Sequence, residues 1–124
     1  METISKPAKH MIIDLTQLKL VSRGNQQFVK KMLMLFTSMA PKSIDSLNQC
    51  LQNESWERLS EVAHSIKPTI DTLNIVSLKK SIREIEKKAK NKEDLSEVIS
   101  MTNEVIETLQ KALPEAENEI NKLE

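Results

Sequence analysis

Of the 124 residues, two are histidines, and only one sits where its neighbours are spaced as if on a helix. His64 lies in Glu61-Val62-Ala63-His64-Ser65-Ile66-Lys67-Pro68. An imidazole has a reference pKa of about 6.5, so near neutrality it can act as a nucleophile, a proton carrier or a metal ligand. Which of these is open to it depends on where it points. At about 100° per residue from Leu59, residues Val62, Ala63, Ile66, Ile70 and Leu73 fall within roughly 60° of one line, whereas His64 falls at about 140°. The apolar line is the buried face, so the geometry predicts that His64 faces water. Ser60, Lys67 and Asp71 lie on one side of it, and Glu57, Glu61 and Pro68 on the other.

Glu61 and His64 form a Glu-x-x-His pair, the spacing used by di-iron bundles. Those sites need the pair twice, with two further inward carboxylates. Here it occurs once, pointing outward, and the other histidine, His10, is in the N-terminal segment. No metal site is therefore expected. Two readings of His64 remain: an ordinary surface histidine, or a reactive one whose anionic adduct the Lys67 ammonium, one turn on, would steady.

The chain must hold this residue on a firm support. It has one glycine, four prolines, 2% aromatic and 39% hydrophobic residues, which argues for helices packed through Leu, Ile, Val, Met and Ala. Asp14 marks a first short helix, Gly24 its end, and Asn25 the cap of a long helix at about 26–52. Its stripe reads Phe28, Met32, Leu35, Phe36, Met39, Leu47 and Leu51, with a kink or local break expected near Ala40 because of Pro41. Asn53 and Glu54 restart the chain into the His64 helix, and Asn74 is its boundary. A fourth helix carries Leu78, Ile82, Ile85 and Ala89. After the Lys-Asn-Lys-Glu-Asp turn, a fifth carries Leu95, Val98, Thr102, Val105, Ile106, Leu109 and Leu113; Pro114 ends or bends it, unless Ile120 and Leu123 continue the stripe. The fold expected is all-α: an up-and-down four-helix bundle over 12–124 with a short additional N-terminal helix, preceded by a mobile tail at 1–11.

Eighteen basic and eighteen acidic residues balance, so nothing draws the chain to nucleic acid or anionic lipid. No apolar run approaches a membrane span and the start lacks a signal-peptide layout, so a cytoplasmic monomer is expected. Cys50 has no partner for an internal disulfide and reads as a small buried hydrophobe.

The stretch Ala63-His64-Ser65-Ile66-Lys67 resembles the Ala-His-x-Leu-Lys signature of histidine-containing phosphotransfer (HPt) domains. The likeness extends over about residues 12–110: Gly24-Asn25 and Phe28 opening the long helix, Ala40-Pro41 within it, then a polar turn and the histidine helix. It implies a four-helix bundle that accepts a phosphoryl group on His64, through Nε2, from the aspartate of one response-regulator receiver domain and passes it to another. Lys67 would offset phosphoryl charge. Many relatives place a glutamine near the ring; counting puts Glu86 there, where it would orient the imidazole, unless it is simply paired with Lys90 on the surface. Ser60, Pro68, Asp71 and Met34 are candidate receiver contacts. The resemblance implies a hybrid sensor histidine kinase upstream, Mg²⁺ brought by the receiver, no cofactor of the chain's own, and no ATP-dependent kinase activity.

Two positions depart from the family pattern. Pro68 stands where glycine is usual, which predicts a distorted helix at His64. Asn74 replaces another common glycine and tolerates the same left-handed backbone. A distortion at Pro68 would favour an adaptor that docks receivers without phosphorylation; a purely structural bundle is the remaining alternative.

Overall fold

A computed structural model describes residues 11–123, which form five helices: α1 (Thr16–Val21), α2 (Gln26–Asn53), α3 (Trp56–Thr72), α4 (Val76–Asn91) and α5 (Leu95–Lys122). The expected tail at 1–11 lies outside the described residues, apart from Met11. Helices α2 to α5 form a closed ring in which each packs on the next and α5 returns to α2, while α1 lies on α2. This is the all-α, up-and-down bundle expected. Among the described residues no helix is long and apolar enough to cross a membrane.

Local chemistry accounts for the boundaries. Asp14 Oδ1 accepts from the Thr16 amide at 3.0 Å, and hydrogen bonds from Thr16, with a smaller one from Asn74, hold its carboxyl below the usual range. Gly24, at φ 78°, closes the turn after α1, and the Asn25 side chain accepts from the Phe28 amide at 3.1 Å. The three turns of the bundle use left-handed residues that are not glycine: Glu54, Asn74, and the pair Lys92 and Asp94. The chain before α1 is tied down at both ends of its path. Glu115 on α5 accepts from the amides of Ile12 and Ile13, and the Asp14 amide donates to the Leu73 carbonyl.

Two expectations need correction. First, no break occurs at Pro41 and no end at Pro114: α2 is helical from Gln26 to Asn53, and α5 continues past Pro114 to Lys122, along the stripe that Ile120 extends. Both prolines are exposed, so each removes one amide from the water-facing side of a helix whose other face is held by packing. Second, the buried face of α2 is Val29, Leu33, Phe36, Ala40, Ile44, Leu47 and Cys50. Phe28 and Leu35 are exposed, while Met32 and Met39 are half-buried. Apolar residues cover so much of α2 that either of two adjacent stripes could face inward; packing against α5 selects the second. Cys50 is buried as expected, and burial pushes its thiol pKa up.

Candidate functional site

Helix α3 turns Leu59, Val62, Ala63, Ile66 and Ile70 into the core, which leaves His64 on the opposite side with its side chain 69% exposed. Helix α4 lies against α3 with small residues available on both, Ser60 and Ala63 on one and Ala89 on the other, all buried. It presents Glu86 level with the imidazole. Glu86 Oε2 is 2.7 Å from His64 Nδ1, and Glu86 Oε1 accepts from Lys67 Nζ at 2.8 Å. One carboxylate thus bridges the two residues that the sequence singles out.

The charge on that carboxylate decides where the imidazole proton sits. The Lys67 hydrogen bond, with a smaller contribution from His64, holds the Glu86 carboxyl below its ordinary range despite some opposing desolvation. Near neutral pH it is ionised and can only accept. Nδ1 must then carry the proton in the contact, and in the neutral ring the lone pair lies on Nε2. Among the described residues Nε2 has no hydrogen-bond partner. The arrangement therefore offers a nucleophilic nitrogen to solvent and holds its tautomer from behind.

The other candidates are placed as follows. Glu86 turns to His64 and Lys67 rather than to Lys90, which lines the same shallow cleft. Lys67 is half-buried and engaged by Glu86. Asp71 is exposed but paired to Arg83 of α4 at 2.7 Å. Pro68 is exposed, and the distortion expected there does not interrupt α3, which is helical from Trp56 to Thr72. Because proline has no amide, the His64 carbonyl has none four residues on to accept from. Ser60 is 6% exposed where it lines the His64 cleft, and its hydroxyl donates to the Glu86 carbonyl at 2.6 Å.

Met34 is 51% exposed, in a depression with Gln27, Lys30, Lys31 and Leu35. The surface beside Pro68 is different: a groove between α2 and α3 lined by Met32, Leu35, Met39, Thr69 and Thr72. Sequence reasoning assigned three of those residues to the core. Their position one step out of phase with Val29, Leu33, Phe36 and Ala40 was the available signal. Among the described residues no group of three or more His, Cys, Asp or Glu is placed to hold a metal ion.

The family model described as Hpt domain matches residues 31–119, from the first turns of α2 to the last turns of α5, and takes in His64, Lys67 and Glu86. The chain belongs to the Hpt domain family. Such domains are phosphotransfer carriers of two-component systems and interact with the receiver and kinase components of those systems. No curated protein and no solved structure matches the chain.

Proposed function

We propose that this Hpt domain carries its phosphoryl group on Nε2 of His64, receiving it from one receiver-domain aspartate and delivering it to another. The observation that supports this reading is the exposed ring whose Nδ1 rests on Glu86 at 2.7 Å. In the accepting direction the Nε2 lone pair attacks the phosphorus of an aspartyl phosphate. The bond from phosphorus to the aspartate oxygen breaks, the aspartate leaves as a carboxylate, and the Nε2–P bond forms. The proton stays on Nδ1, so the ring becomes cationic, and the Glu86 carboxylate faces that new charge. Delivery reverses each step.

Phosphoryl transfer passes through a loose transition state, and its catalysis is mostly positioning and charge stabilisation. Lys67 is one turn from His64 and is shared with Glu86, so its ammonium can swing toward phosphoryl oxygens while Glu86 keeps the imidazole. Mg²⁺ and the remaining cationic groups belong to the receiver in this reading, and the chain is a reactant that is regenerated rather than a kinase. The groove of Met32, Leu35 and Met39 beside Pro68, with exposed Asp71 nearby, suits the receiver's docking surface, because adaptable methionines fit a partner that changes along a relay. In this reading the carrier works in the cytoplasm, between a hybrid sensor kinase and receiver domains.

The test is incubation with a phosphorylated receiver domain and Mg²⁺. The expected product is an acid-labile, base-stable adduct that is absent from His64→Gln. An adduct that survives in His64→Gln rules out this acceptor, and receiver binding without any adduct would favour the non-phosphorylated adaptor.

A further inference from the structure

A serine in the interior of a helix ordinarily returns its hydroxyl to a carbonyl of its own helix, three or four residues back. Several hydroxyls of this chain follow the habit: Ser65 donates to Val62, Thr37 to Met34, and buried Thr102 to Val98, while Ser81 and Thr69 reach side chains of other helices, Glu104 and Met39. Ser60 does not. Its hydroxyl leaves α3 and donates to the backbone carbonyl of Glu86 on α4, and among the described residues it is the one hydroxyl that crosses to the main chain of another helix. The acceptor is the residue whose carboxylate holds the imidazole, and the donor lies one turn before His64 on the same helix.

We infer that Ser60 is a positioning residue for His64, setting through the Glu86 backbone the height and distance at which the Glu86 carboxylate meets Nδ1. The inference rests on the phosphotransfer reading of His64. Glu86 is held twice: its carbonyl by Ser60 at 2.6 Å, and its carboxylate by His64 and Lys67 at 2.7 and 2.8 Å. The His64 contact is exposed, whereas the Lys67 and Ser60 contacts are part-buried, and of the three only the Ser60 contact holds the backbone of Glu86. A free imidazole favours the proton on Nε2, so the Nδ1–H form must be imposed, and it is imposed only while the carboxylate stays within reach. Without the Ser60 bond, α4 can slide or rotate slightly against α3, and the short Glu86 side chain cannot compensate while it also holds Lys67.

The experiment is a long-range ¹H–¹⁵N spectrum of the imidazole in the full chain, about two units above the ordinary imidazole pKa, with His64 assigned by comparison with His64→Gln. The parent is expected to show mainly the Nδ1–H form. Ser60→Ala should shift the population toward Nε2–H and slow transfer from a phosphorylated receiver about fivefold, the worth of one ordinary net hydrogen bond. Ser60→Thr, which keeps the hydroxyl, should restore both. Thr102→Ala serves as the comparison, since it removes a buried hydroxyl on α5 and should lower stability without moving the His64 spectrum. A Ser60→Ala spectrum identical to the parent's, or a shift of equal size in Thr102→Ala, overturns the inference. A parent protein that shows the Nδ1–H form but takes no phosphoryl group on His64 overturns the phosphotransfer reading and leaves the positioning result standing.

Discussion

Helix α4 carries two lysine–carboxylate clusters two residues apart, and they are built in opposite senses. At the first, Lys88 stands among three carboxylates: Glu84 at 3.4 Å, Asp94 at 3.5 Å and, in close contact, Glu97. Glu97 foremost, then Glu84, push the Lys88 pKa up. The cluster joins the end of α4 to the turn and the start of α5, and the lysine's partners all belong to the chain. At the second, one carboxylate, Glu86, stands between Lys67 and an imidazole, and one atom of that group remains open to water. Charge density does not distinguish the two, since both are mixed clusters on one helix. What distinguishes them is the exposed Nε2, and chemistry needs an atom that the fold has not already satisfied.

Removing the open atom should have the largest effect. His64→Gln is expected to abolish phosphoryl uptake, while Lys88→Met takes up phosphate as the parent does; uptake is read by radiolabel or intact mass after exposure to a phosphorylated receiver. Loss in both variants would erase the contrast between the clusters. Next, Glu86→Ala should slow transfer by about 10–100-fold, by analogy with the loss on removing the hydrogen-bond partner that orients a metal-bound histidine. Glu86→Gln should cost less, because an amide oxygen still accepts from Nδ1–H. A time course in which Glu86→Ala keeps pace with the parent would leave the carboxylate without a part.

The pH response sharpens the comparison further. The Glu86 pKa is lowered in the fold, so its contribution to stability is fully present above the unfolded value of about 4.3 and disappears as pH falls through the lower folded value. Titration of the Glu86 carboxyl ¹³C shift should give a midpoint below that value, and Lys67→Met should raise the midpoint more than His64→Gln does. Lys88 behaves oppositely: its raised pKa means that its contribution is present below the unfolded lysine value and is lost only as pH climbs through the folded one. The smallest effect belongs to Lys88→Met near neutral pH, where solvent-screened pairs contribute little; a modest drop in the thermal midpoint is expected, and a collapse of the fold would contradict it.

Much of this site could be read before any coordinates. The direction of His64 followed from helical period alone, because the apolar line of α3 is narrow and leaves the opposite side unambiguous. Glu86 came from the resemblance to HPt domains rather than from the helical period: relatives place a glutamine near the ring, and counting along the next helix puts Glu86 at that position. The inward face of α2 was read only in part, with Phe36 and Leu47 placed rightly and Phe28 and Leu35 wrongly, for the converse reason: its apolar residues cover two adjacent stripes, and only the neighbouring helix decides between them. Breaks were among the outcomes expected at Pro41 and Pro114, yet these prolines, like Pro68, sit on an exposed side where packing of the other side carries the helix through. The burial of Ser60 was not legible because a serine one turn from an exposed histidine looks solvated in one dimension. Its burial and its bond to the Glu86 carbonyl depend on how closely α4 approaches, and no local pattern encodes that distance.

The most direct test is to find which nitrogen bears the phosphoryl group. After transfer from a phosphorylated receiver, the imidazole ¹⁵N spectrum of the full chain should show phosphorus on Nε2 of His64 and the proton on Nδ1. Phosphorus on Nδ1, or on any residue other than His64, would contradict the account.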